Sequence, residues 1–154
     1  MKISYRNLDK LYMGLDACNN LSGPKFVYAI AKNIAKIDVE LKFLEKAIKP
    51  SDAFLKYEKE RIQLCEDNCV KDPSGKPIME NREYAFPGNI DKDKLFDDLM
   101  ATHKEALDER QKQIDEFNKL MDSEVEIDLH MLKPEALPEN ITVLQLKGID
   151  FIVE

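Results

Sequence analysis

The segment PKFVYAIAKNIAKIDVELKFLEKAIK, residues 24–49, decides the fold. Its apolar positions Val27, Ile30, Ile34, Ile37, Leu41, Leu44 and Ile48 alternate steps of three and four, the repeat of a helix that packs along one stripe against a second helix. Pro24 suits the first helical turn, where its fixed φ and missing N–H cost nothing. The same frame runs on past Pro50 through Ser51, Leu55, Glu58, Ile62, Cys65 and Cys69. That unbroken register predicts one helix over 24–69, bent where Pro50 removes a hydrogen bond.

Downstream, Asp72-Pro73-Ser74-Gly75 is a helix stop, and residues 78–81 and 83–86 read as two short strands of a β-hairpin. After Pro87-Gly88-Asn89 a third long helix is expected over 91–122, with Asp91 and Asp93 in its first turn, where negative charge is favoured. Its stripe is Met100, His103, Leu107, Arg110, Ile114, Phe117 and Met121. If Cys69 and Asp91 face each other across the tip, antiparallel partners have numbers summing to about 160, give or take a helical turn. Leu44 then meets Phe117, Leu41 meets Met121 and Ile48 meets Ile114. The polar interruptions meet as well, Glu58 with His103 and Ser51 with Arg110. Charge agrees, since residues 25–49 hold six lysines against Asp38, Glu40 and Glu45, whereas 91–128 hold 13 acids against six bases.

Upstream, Leu8, Leu11, Tyr12, Leu15 and Cys18 predict a short amphipathic helix over 5–20. Residues 124–132 change period, because Val125, Ile127, Leu129 and Met131 alternate with Glu124, Glu126, Asp128 and His130, as in a half-buried strand. Thr142-Val-Leu-Gln145 fits a capping box and opens a short helix over Leu144, Ile149 and Ile152. A hairpin around Lys147-Gly148 competes for the same residues. The expected fold is therefore mainly α with a small β component. It comprises a long antiparallel coiled-coil helical hairpin with a β-hairpin tip, and a small helical head with one or two short strands. One domain over 1–154 is expected, with the head at about 1–40 and 123–154 and the stalk and tip at about 41–122.

Composition narrows the function. The chain has 154 residues, 44% hydrophobic and 34% charged, with net charge −7, which places it in the globular range and leaves enough length for a core without disulfides. An acidic balance argues against nucleic acid or anionic membrane as partner, since both are bound chiefly by neutralising negative charge. Cys18, Cys65 and Cys69 cannot all pair internally, and no leader-like apolar run precedes Leu11, so a reduced cytosolic setting is expected. The Asn-x-Ser/Thr tripeptides at Asn20 and Asn140 are then without consequence.

Catalytic chemistry finds little to stand on. Cys65 and Cys69 share a helix face, but no second thiol pair exists, and neither His103 nor His130 has metal-ligand spacing, so seam packing is the simpler role. His103 opposite Glu58 reads as a structural polar pair, and the acidic run 91–98 lacks the glycine and ligand spacing of a calcium loop. Phosphate-loop, nucleophile-elbow and zinc-protease patterns do not occur. No catalytic, cofactor-binding or metal-ligating residue is therefore assigned, no cofactor is expected, and the chain is read as a non-enzyme. Two surfaces remain as partner-binding candidates: Met79, Tyr84 and Phe86 in a hairpin too small to bury them on both sides, and Asp97, Glu105 and Asp108 on the acidic helix. Packing of the tip residues against Leu64 and Phe96 is the alternative.

Leu11-Tyr12, Tyr28-Ala-Ile-Ala-Lys-Asn33, Asp72-Pro-Ser-Gly-Lys-Pro77, Glu116-Phe-Asn118, Ser123-Glu-Val-Glu-Ile-Asp-Leu-His130 and the closing Gly148-Ile-Asp-Phe-Ile-Val-Glu154 are spread over nearly the whole chain. Together they resemble a family of small proteins of unknown function encoded by tailed bacteriophages and prophages of Gram-positive bacteria. The resemblance implies a phage origin and a location in the host bacterial cytoplasm or the virion, and it carries no activity. Helix, hairpin tip and returning helix also resemble a prefoldin-type layout, in architecture alone. The expected function is a non-catalytic phage protein that acts in protein–protein interaction or assembly through its coiled-coil hairpin. The alternative is an inhibitor of a host defence or regulatory enzyme. Either has a protein partner, phage or host, and homo-oligomerisation stays open.

Overall fold

The computed structural model describes residues 1–154 and resolves them into two compact units, Met1–Ile48 with Asp115–Glu154, and Lys49–Ile114. The chain is mainly helical, with two small antiparallel sheets.

The first unit begins with strand β1 (Lys2–Ser4) and helix α1 (Tyr5–Asp16). Ser4 is the hinge between them, since its extended backbone closes the strand while its hydroxyl accepts the Asn7 N–H at 3.3 Å as an N-cap. Helix α2 spans Pro24–Ile48. Strand β1 is an element that the periodicity did not reveal. Its partner is Glu124–Glu126, paired antiparallel as Lys2 with Glu126, Ile3 with Val125 and Ser4 with Glu124. The alternation expected over 124–132 persists as burial of Ile127 and Leu129, but only three of those residues lie in a strand. The phase then slips, leaving Met131 exposed and Leu132 buried.

The core of this unit joins Leu8, Leu11 and Leu15 of α1 to Phe26, Ala29, Ile30 and Ile37 of α2, closed by Ile127, Leu129, Leu132, Ile149 and Ile152. Each fully buried large aliphatic side chain contributes roughly 1.5–3 kcal/mol from apolar area. The buried stripe of α2 lies one residue off the one read from the sequence at its start, with Phe26 buried and Val27 47% exposed. A one-residue shift is a rotation of about 100°, and a helix carrying both Phe26 and Val27 leaves the choice to its neighbours. One polar side chain enters the core. Asn33 is wholly buried, donates from Nδ2 to the His130 carbonyl at 2.9 Å and accepts the His130 N–H on Oδ1 at 2.7 Å, as a strand neighbour would.

Thr142 and Gln145 form the expected capping box, with both reciprocal hydrogen bonds present, and start a helix over Val143–Gly148 rather than a hairpin. A 3-10 turn over Asp150–Ile152 follows and delivers Ile149 and Ile152 to the core. Leu144 does not belong to that face and is 81% exposed. Gly14 and Gly148 let α1 and the C-terminal helix touch backbone to backbone. A Cβ on Gly14 would sit 2.0 Å from the Gly148 carbonyl oxygen.

The second unit corrects the expectation of one bent helix over 24–69. Helix α2 stops at Ile48, and a separate helix α3 spans Asp52–Asn68. Pro50 lacks an N–H and disfavours helical backbone at the residue before it. Ser51 then takes an extended conformation and caps the new helix through Phe54 N at 3.3 Å. Strands β2 (Met79–Glu80) and β3 (Glu83–Tyr84) form the hairpin, followed by helices α4 (Lys92–Thr102) and α5 (Lys104–Asp122). The helix expected over 91–122 is thus interrupted at His103, whose N–H still closes on the Leu99 carbonyl at 3.1 Å.

On α3 the inward face is Phe54, Tyr57, Arg61, Leu64 and Cys65, whereas Leu55 and Ile62, expected in the seam, are largely exposed. Met100 is likewise exposed, and Leu99 takes its place. Cross-helix contacts in this unit run antiparallel. Gln113 Nε2 donates to the Lys49 carbonyl at 2.9 Å, the Arg110 guanidinium lies 5.4 Å from the Phe54 ring centroid, and His103 Nε2 stands 2.6 Å from Glu60 Oε2. The expected partners were Ser51 for Arg110 and Glu58 for His103. Glu58 instead holds Arg61 on its own helix at 3.0 and 3.1 Å.

Candidate functional site

The hairpin tip is built by local chemistry. Asp72 Oδ1 accepts from Ser74 N, Ser74 Oγ and Lys76 N at 2.8, 2.7 and 3.0 Å, and this turn reverses the chain after α3 with Gly75 at φ 83°. Those donors, led by the Ser74 hydroxyl, hold the Asp72 carboxyl below its usual range. The hairpin then pairs Met79 with Tyr84 and Glu80 with Glu83 across a two-residue turn, in which Asn81 at φ 50° and Arg82 at φ 69° give the left-handed pair of a type I′ connection. Val70 ties the hairpin base to the end of α3, donating to the Ala85 carbonyl at 2.7 Å and accepting from Ile78 N at 2.8 Å.

Met79, Tyr84 and Phe86 therefore share one small platform, but in different states. Met79 is 50% exposed, while Tyr84 and Phe86 are half-buried. Phe86 packs edge-on against Phe96 of α4, with ring centroids 6.2 Å apart, so the packing alternative describes that residue. Beside them lies a cavity of about 400 Å³ lined also by Arg61, Cys65, Arg82, Glu83 and Lys92. The three cations in that wall carry no periodic signal in the sequence. The two positive-φ residues of the turn place Arg82, and the i,i+3 pair with Glu58 holds Arg61 in position.

The acidic candidates come from two successive helices. Asp97 lies on α4, Glu105 and Asp108 lie on α5, and all three are exposed. Asp108 is engaged by Lys104 one helical turn away. The three thiols are unpaired and buried, Cys18 in the first unit and Cys65 and Cys69 at the end of α3. Burial pushes the Cys18 and Cys65 thiols up, away from the thiolate that metal binding or nucleophilic attack needs. His103 and Glu60, with the Tyr57 ring 5.6 Å from the imidazole, make a polar seam contact, and the hydrogen bond from His103 lowers the Glu60 carboxyl.

In the first unit, Leu41, Leu44, Ile48, Phe117 and Met121 line one cavity of about 380 Å³, rimmed by Asp9, Asp38 and Glu45. Lys42 bridges to Asp38 at 2.9 Å. No helix of the chain is long and apolar enough to cross a membrane. No protein-family model, curated protein or solved structure matches the chain.

Proposed function

We propose that this chain is a non-catalytic, phage-encoded protein–protein interaction or assembly protein that engages its partner with the hairpin tip, carried on an antiparallel coiled-coil hairpin of helices. The observation that carries the reading is the half-exposed Met79 beside Tyr84 and a cationic, aromatic-walled cavity on a two-stranded hairpin. A hairpin of two-residue strands has no second sheet to cover such a face. The antiparallel order of the Lys49–Gln113, Phe54–Arg110 and Glu60–His103 contacts supports the hairpin of helices. The phage assignment rests on the sequence resemblance and places the protein in the host cytoplasm or the virion.

Capture from phage-infected cells, with mass-spectrometric identification, tests the reading with intact protein and with Met79→Asp. Met79 is 50% exposed on a two-residue strand, so this substitution is expected to leave the fold in place, which circular dichroism checks. Loss of one reproducible phage or host protein from the Met79→Asp sample is expected. Equal capture by both proteins refutes the tip as the contact surface.

A second reading is a host-enzyme inhibitor that presents the acidic helices as a decoy for a basic site. It is favoured by Asp97 and Glu105, which are exposed and make no ion pair within the protein. Charge reversal at Asp97, Glu105 and Asp108 then abolishes capture of a single host enzyme, with a weakened salt dependence.

A further inference from the structure

The tip cavity carries a charge opposite to that of the whole chain. Net charge is −7, yet the cavity wall sets the three cations Arg61, Arg82 and Lys92 against the single carboxylate of Glu83. The cations differ in how far the protein already uses them. Arg61 gives Nε and Nη2 to Glu58 at 3.1 and 3.0 Å, which fixes the plane of its guanidinium and leaves Nη1 without a protein partner. Lys92 Nζ stands 3.5 Å from Glu83 Oε2 and 5.6 Å from the Phe86 ring centroid, a loose and exposed pair that contributes little. Arg82 makes no hydrogen bond, ion pair or ring contact and is exposed.

The position of Arg82 strengthens the point. It occupies the second central site of a type I′ turn at φ 69°, where a β-carbon is strained and glycine is the residue that suits the backbone. Folding of the hairpin gains nothing from an arginine there. What Arg82 supplies is a planar fork of donors, matched to a carboxylate, held at the mouth of a cavity whose other walls are Tyr84, Phe86 and Phe96. A nucleic-acid strand needs a run of cations, and this hairpin instead sets Glu80 directly opposite Glu83 beside the cavity. A single carboxylate flanked by an apolar side chain fits the site better.

Resting on the reading of the tip as the contact surface, we propose that this cavity receives an acidic segment of the partner protein. A carboxylate of that segment is held by Arg82, with Arg61 Nη1 and Lys92 as supporting donors, and an adjoining apolar side chain lies against Tyr84 and Phe86.

The test uses the full chain, isotopically labelled, titrated in separate NMR experiments with acetyl-Glu-Phe-Glu-amide and acetyl-Lys-Phe-Lys-amide. Saturable shifts at the Arg82 and Lys92 amides and at Arg61 Nε–H are expected with the acidic peptide. Its affinity should exceed that of the basic peptide by about tenfold at low salt and fall as salt rises. Arg82→Gly should weaken the acidic peptide by about tenfold while the thermal midpoint stays level or rises, because the turn strain is relieved. Equal affinity for the two peptides, absence of saturable shifts at these groups, or unchanged affinity in Arg82→Gly each overturns the inference. Capture from infected cells separates it from the reading beneath it. If Met79→Asp abolishes capture and Arg82→Gly leaves it intact, the tip is the contact surface but the acidic-segment inference falls. If both variants capture normally, the tip reading itself falls.

Discussion

Replacing Asn33 by alanine tests how the first unit holds its last strand-like segment. Asn33 is the one polar side chain in that core and is completely buried, and both of its polar atoms are spent on the backbone of His130, at 2.9 and 2.7 Å. The two hydrogen bonds contribute about 1 kcal/mol each on a net basis, and orphaning a shielded backbone N–H or C=O costs roughly 1–3 kcal/mol. His130 is only half-buried, so water recovers part of that penalty. The expected destabilisation is about 2–4 kcal/mol, which for a chain of this size lowers the thermal midpoint by roughly 5–15 °C. Urea unfolding gives the free energy, and native-state hydrogen exchange at the His130 amide gives the site. That amide should lose its protection selectively in Asn33→Ala, and His130→Ala should retain it, because the bonds run to the backbone. A loss below about 1 kcal/mol with the His130 amide still protected refutes the reasoning.

Gly14→Ala forces a methyl group to within 2.0 Å of the Gly148 carbonyl oxygen. Helix α1 and the C-terminal helix must separate, at a cost of about 3 kcal/mol or more by thermal unfolding, despite the gain in helix propensity. Ile152→Ala should cost about 2–5 kcal/mol and Leu144→Ala under about 0.5 kcal/mol, since Ile152 is fully buried and Leu144 is 81% exposed; equal effects would contradict the assigned helix face. In the second unit, the Glu60 carboxyl is lowered by His103 and the Asp72 carboxyl by its turn donors. A carboxyl lowered in the folded state stabilises above its unfolded value of about 4 and loses that contribution as pH falls through the folded value. Acid unfolding of this unit, followed by circular dichroism or hydrogen exchange, should therefore be less steep in Glu60→Gln with Asp72→Asn, and an unchanged acid limb refutes the assignment.

Where the governing interactions are local, the sequence alone determined the outcome. The capping box at Thr142 and Gln145 needs residues three apart, and the reversal at Asp72-Pro-Ser-Gly needs donors within four residues, so both were legible. The tip platform of Met79, Tyr84 and Phe86 followed for the same reason, because a two-residue connection leaves its flanking side chains in register. The alternation of Val125, Ile127 and Leu129 likewise marked the inward side of that segment.

Only the tertiary structure decided which of two adjacent stripes a helix buries. Phe26 and Val27, or Phe54 and Leu55, offer apolar faces about 100° apart, and the period alone weighs them equally. The partner surface breaks the tie, and it leaves Val27, Leu55 and Ile62 in solvent. The break at Pro50 was hidden because register can persist across two helices as well as within one, while Ser51 supplies a cap that turns a bend into a new start. Strand β1 has three residues and no periodicity of its own, and it exists because Glu124–Glu126 lies alongside to take its hydrogen bonds. Asn33 and Arg82 carry no pattern at all. Asn33 is defined by a carbonyl and an amide 97 positions away, and Arg82 by a cavity wall it shares with Arg61 and Phe96 from two other elements, groupings that exist only once the chain has closed on itself.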